Sequence, residues 1–137
     1  MDKHHFDDRR YSCRYDGTRT ITALDLLAER ILADLPGVLE PDAVPATVEY
    51  GIHIVANTLL RLNVGGLPDT FTFSDRVAYR YSPQAIKLIA DLNVVLESYN
   101  WTNPSQPTDR RFFCSVHLVD EAEYHSIFWT PGVVRIF

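Results

Sequence analysis

Glu49, His53, Asn57 and Arg61 recur at every fourth position, and His117 and His125 flank the short acidic stretch Asp120-Glu121-Ala122. Imidazoles and carboxylates suit proton transfer near neutral pH, and imidazoles also suit zinc or nickel. On a helix, a spacing of four stacks side chains on one face. Glu49 would then lie against His53, favour its imidazolium and raise its pKa, giving an acid–base group. The plainer reading is a solvated helix face stitched by i,i+4 pairs worth about 0.2–0.5 kcal/mol each. Tyr50 and Ile54 fall among these polar positions. That marks the face as one a second subunit would cover.

A three-residue loop at 120–122 would set His117 opposite His125 on two antiparallel strands, where they could share a metal ion or a proton. A loop one residue longer or shorter breaks that alignment, because side chains alternate along a strand. No third ligand has a set position, so cross-strand packing is the plainer reading, and neither a metal nor a cofactor is expected. The catalytic candidates are therefore His53, His117 and His125, and the metal candidates His117 and His125.

Other chemistry finds less support. There is no GxSxG elbow. Cys13 and Cys114 each fall on the apolar side of an expected strand, where a thiol is more often a small core residue than a nucleophile. Two cysteines a hundred residues apart, with no CxxC pair, make neither a disulfide framework nor a zinc motif. Gly65-Gly66 matches no phosphate-cradling pattern. Trp101 stands in the Pro-rich polar stretch Asn100–Asp109. Loops run over the surface, so Trp101 is a candidate interface anchor, with capping of the core as the equal alternative. Phe137 ends a short apolar strand that could complete this chain's own sheet or add to a neighbour's edge. Asn100-Trp101-Thr102 fits a glycosylation sequon, but a polar start without an export signal makes that a chance match.

The elements that must carry these residues follow from periodicity. Asp16-Gly17 between alternating runs predicts a hairpin over 11–21. Thr22 as N-cap opens a helix to Leu35, with Leu24, Leu27, Ala28 and Ile31 on one face, and Pro36-Gly37 ends it. Val48, Ile52, Val55, Leu59 and Leu62 share a helical stripe, which predicts a second helix over 44–63. Thr70–Tyr81 reads as a bulged strand or a short hairpin. Ser82 and Pro83 start a third helix whose inner arc holds Ala85, Leu88, Ile89, Leu92, Val95, Leu96 and Tyr99, with Lys87, Asp91 and Ser98 opposite. Strands follow at 111–119, 123–129 and 133–137. The sum is an α+β fold, about three amphipathic helices packed on one face of a mostly antiparallel sheet. It forms a single domain over 1–137, with residues 1–10 as a polar arm.

The formal charge of −5 argues against a nucleic-acid partner and against an anionic membrane surface. No apolar run is long enough to span a bilayer. The expectation is a cytoplasmic protein, or a virion component if viral. In function, the pattern points to a non-enzymatic structural or assembly subunit of a larger complex or viral/phage particle. It would be a homo-oligomer or part of a bigger assembly, with Trp101, Tyr50, Ile54 and Phe137 at interfaces. The alternative is a small enzyme or ligand binder using His/Tyr acid–base chemistry. Its pocket would lie between helices and sheet, lined by His53, Tyr79, Tyr81, His117 and His125.

Overall fold

The computed structural model describes residues 10–12, 23–39, 44, 47–68, 73–75, 80–119 and 133–136. In chain order these form β1 (Arg10–Tyr11), α1 (Leu24–Val38), β2 (Glu49–Val55), β3 (Leu59–Gly65), β4 (Phe73–Asp75) and β5 (Arg80–Tyr81). Then come α2 (Pro83–Glu97), β6 (Trp101–Thr102), β7 (Phe113–Leu118) and β8 (Val133–Ile136).

The central stretch is not a helix. It is a hairpin, and it forms the middle of a four-stranded sheet of order β7-β3-β2-β8. Ile52 pairs with Leu62, His53 with Arg61 and Val55 with Leu59. Two periods coexist in this sequence. The steps of three and four that suggest a helix pass through Ile52, Val55, Leu59 and Leu62. A strict alternation also runs through Tyr50, Ile52 and Ile54, and again through Leu60, Leu62 and Val64. The apolar set of the alternation is the core set: Ile52, Leu60, Leu62 and Val64 are fully buried and Arg61 is exposed, although Gly51 and Asn63 on the other face are buried as well. The β-branched Val48, Ile52, Ile54, Val55 and Thr58 favour extended backbone, and they and Gly51 disfavour helix. The turn supplies the last signal. Ala56 and Asn57 both have positive φ, 51° and 56°, and the Thr58 amide donates to the Val55 carbonyl at 3.1 Å. Two positive-φ residues inside an i→i+3 bond are what a type I′ turn needs to match strand twist.

The described residues hold two helices rather than three, and the sheet is mixed rather than mostly antiparallel. β2 pairs antiparallel with β3 and β8, but β3 pairs parallel with β7. Parallel neighbours need a long crossover, and α2 lies in it. β8 joins β2 of its own chain, which decides between the two roles considered for the last strand.

α2 begins at the predicted cap, whereas α1 does not begin at the predicted Thr22. Ser82 Oγ accepts from the Ala85 amide at 3.0 Å, with Pro83 at the first position. α1 starts at Leu24 after Ala23, with no side-chain cap bond, and carries Pro36 inside its last turn, so it runs three residues past the expected end. α1 packs over β2 and β8, and α2 over β7. Leu27, Ile31 and Leu35 of α1 and Leu88, Leu92 and Leu96 of α2 belong to one core with the sheet. Tyr99, fully buried, donates its hydroxyl to Asp34 at 2.8 Å and so ties the two helices. β4 and β5 form a short hairpin with a register irregularity between Phe73 and Asp75, as the second reading of 70–81 anticipates. The expected turn at Asp16-Gly17 and the strand at 123–129 lie outside the described residues.

Candidate functional site

The sheet has two unlike faces. Tyr50, Ile52, Ile54, Leu60, Leu62, Val64, Cys114, Val116 and Leu118 point to the helices. Glu49, His53, Arg61, Asn63, Ser115 and His117 belong to the other face, because partners in register share a side. Register sets them in rows. His53, Arg61 and Ser115 form one row across β2, β3 and β7, and Gly51, Asn63 and His117 form the next. His53 and His117 are thus two strands and one row apart, about 12 Å between Cα atoms at ordinary strand spacing. Arg61 and Asn63 stand between them.

The pairing expected of Glu49 with His53 depends on a helix. Four residues along a strand span about 13 Å, so the two side chains do not adjoin. Glu49 Oε2 and Asn63 Oδ1 are instead buried oxygens without a hydrogen-bond partner. Asn63 is 2% exposed on a face that no described helix covers. A pocket between helices and sheet would lie on the opposite face from His53 and His117. Tyr81 of β5 is exposed, and Tyr79 and His125 lie outside the described residues. Among the described residues there is no group of three or more His, Cys, Asp or Glu able to hold a metal ion.

A second polar group closes the C-terminal end of α2. Glu97 Oε2 accepts from Arg110 Nη2 at 2.6 Å and from Asn100 Nδ2 at 3.4 Å, while Oε1 accepts the Cys114 thiol at 3.2 Å. Burial pushes the Cys114 thiol up to about 12, helped by its hydrogen bond to the Glu97 carboxylate and by that carboxylate's charge, with Arg110 opposing. A thiol held neutral across the physiological range is a poor nucleophile. The group is therefore a structural clasp, pinning β7 and the 100–111 loop to the helix end.

Asn100 completes the clasp. Its side chain is fully buried; Oδ1 accepts from the Trp101 and Phe112 amides and Nδ2 donates to the Phe112 carbonyl. An amide so engaged cannot carry a glycan on the folded chain. Asn103 does similar work one turn on, donating to Asp109 and accepting from the Ser105 amide.

The expected interface residues are placed as follows. Tyr50 is 4% exposed and Ile54 is half-buried, both against the core. What covers them is this chain's own helices, and burial raises the Tyr50 phenol pKa. Trp101 is half-buried in β6, which pairs with β1, Trp101 opposite Tyr11. Phe137 lies outside the described residues.

Exposed apolar side chains gather elsewhere. Ile86 is 59% and Val94 72% exposed on α2, and Ala90 between them is exposed as well. The spacing 86, 90, 94 was open to view in the sequence as an apolar line on the side away from Leu88, Leu92 and Leu96. It passes unnoticed because Lys87, Asp91 and Ser98 mark that side as polar. At the hairpin end, Val55, Leu59 and Phe113 form one row, with Val55 and Phe113 exposed. Arg110 stacks over the Phe113 ring at 5.3 Å.

No family model matches the chain, and neither a curated protein nor a solved structure matches it. No helix among the described residues is long and apolar enough to cross a membrane.

Proposed function

We propose that this chain is a non-enzymatic structural subunit that builds a larger assembly through protein–protein contacts. Its setting is the cytoplasm or, for a viral or phage product, the particle. The observation that carries the reading is the line of Ile86, Ala90 and Val94 along the outer side of α2. Single exposed apolar residues are ordinary, and a line of them along a helix is the form a contact surface takes. The chemistry in the interior is consistent with this. The Cys114 thiol is held neutral, and the polar residues around Glu97 are spent on holding a loop to a helix.

The test is the size of the native particle. Protein drawn from its own source and sized by gel filtration with light scattering should run at several times the mass of a 137-residue chain. A monomer mass in every fraction would overturn the reading.

A further inference from the structure

We propose that α2 pairs with α2 of a second copy of this chain, antiparallel, about a two-fold axis at Ala90. This rests on the assembly reading and names its partner. At 3.6 residues per turn, Ile86, Ala90 and Val94 span an arc of about 80° and follow one another at about 6 Å along the axis. That makes a seam three residues long with the smallest side chain at its centre, where two helices approach most closely.

The flanking charges choose the partner and the direction. Lys87 and Asp91 lie on one side of the seam, bonded to each other at 2.6 Å. A two-fold axis through Ala90 maps each side of the seam onto the same side of the mate. Ile86 then falls level with Val94 of the second copy, and Val94 with its Ile86. Lys87 comes within about 3 Å along the axis of the mate's Asp91, in two symmetric pairs; the two Asp91 residues also come within about 3 Å of each other, while the two Lys87 residues stay about 9 Å apart. Two attractive pairs against one close repulsive pair leave the surface complementary to itself on balance, beside an apolar line. An unrelated partner would have to supply the opposite charges in reverse order; a second copy already carries them.

Sedimentation velocity on the full chain across the micromolar range should show a monomer–dimer equilibrium. Ile86→Glu with Val94→Glu should weaken it about 100-fold or more, with the circular dichroism spectrum unchanged, because both sites face solvent. Lys87→Glu alone should weaken it about tenfold, and Lys87→Glu with Asp91→Lys should restore it, since both inter-chain pairs are then reversed together. Ala90→Cys should form a covalent dimer on mild oxidation, with the unsubstituted chain as the control for its natural cysteines. A purified chain that stays monomeric, a dimer indifferent to Ile86→Glu with Val94→Glu, or a charge swap that does not rescue would each overturn the proposal. If the native particle is large while the purified chain is monomeric, the α2 pairing fails and the assembly reading stands. If both are monomeric, both fail.

Discussion

Replacing Ala56 by Gly should stabilise the protein, and the sign of the effect is the point. Ala56 has φ 51°. For a residue with a Cβ the left-handed region costs about 1–2 kcal/mol relative to the right-handed one. Glycine escapes that cost but loses about 0.5–1 kcal/mol more conformational entropy on folding. The net expectation is a gain of about 0.5–1 kcal/mol. Were 44–63 a helix, Ala56 would sit in its interior, and the same change would cost about 1 kcal/mol. The two architectures therefore differ by about 1.5–2 kcal/mol at one position, with opposite signs. Urea unfolding followed by tryptophan fluorescence reads this directly. With a slope of about 1.5 kcal/mol/M, the hairpin moves the midpoint up by about 0.3–0.7 M and the helix moves it down by a similar amount. A lower midpoint at unchanged slope would refute the turn geometry. It would also refute the register built on it, since Val55↔Leu59 fixes every pair from there to Glu49↔Gly65. A slip of one residue would turn His53 and Arg61 into the core.

Three further perturbations follow from the same geometry. Gly66 has φ 70°, and a Cβ there would stand 2.0 Å from the Thr47 carbonyl oxygen, so Gly66→Ala should cost about 3 kcal/mol or more by chemical denaturation. Asn100→Ala removes the acceptor of two amides and the donor to a carbonyl, the two Phe112 bonds buried and the Trp101 bond part-buried; a loss of about 3 kcal/mol and faster amide exchange at Trp101 and Phe112 are expected. Cys114 and Tyr50 both have folded pKa values above their ordinary ones, so the stability they contribute is fully present below the unfolded pKa and is lost as pH rises through the folded one. The urea midpoint should therefore fall from about pH 9 upward, Tyr50→Phe with Cys114→Ala should flatten that fall, and Cys114 should alkylate far more slowly than a free thiol at pH 8.

What the sequence made legible was local, and what it hid was tertiary. Ser82-Pro83 is a start signal that no other element imitates, and α2 begins at Pro83 with the capping bond in place. Phe112, Cys114, Val116 and Leu118 alternate without a competing period, and β7 follows them. At 44–63 two periods fit the same apolar residues. The deciding marks were Gly51 inside the run and Asn57 at a left-handed turn position, neither of which registers in a count of apolar spacings. The parallel pairing of β3 with β7 has no local signature, because it is created by where the crossover through α2 returns the chain. A helix over 44–63 would set Glu49 beside His53 and leave Tyr50 and Ile54 among polar neighbours; the strand separates the first pair and packs the second against the core.

Tyr50 and Ile54 suggested a second subunit only because a helix would have left them among polar neighbours. In the hairpin their apolar area is absorbed by α1, α2 and the sheet of the same chain, and β8 likewise completes its own sheet instead of reaching outward. The apolar side chains that the described fold leaves most exposed on α2 are Ile86 and Val94. On α2 the inner arc of Leu88, Leu92 and Leu96 already satisfies the core, so Ile86 and Val94 add nothing to folding. Each forgoes most of the 1.5–3 kcal/mol that burial of such a side chain supplies. In the α2 pairing proposed above, that burial would come from a second copy of the chain, which carries Lys87 and Asp91 beside the same line.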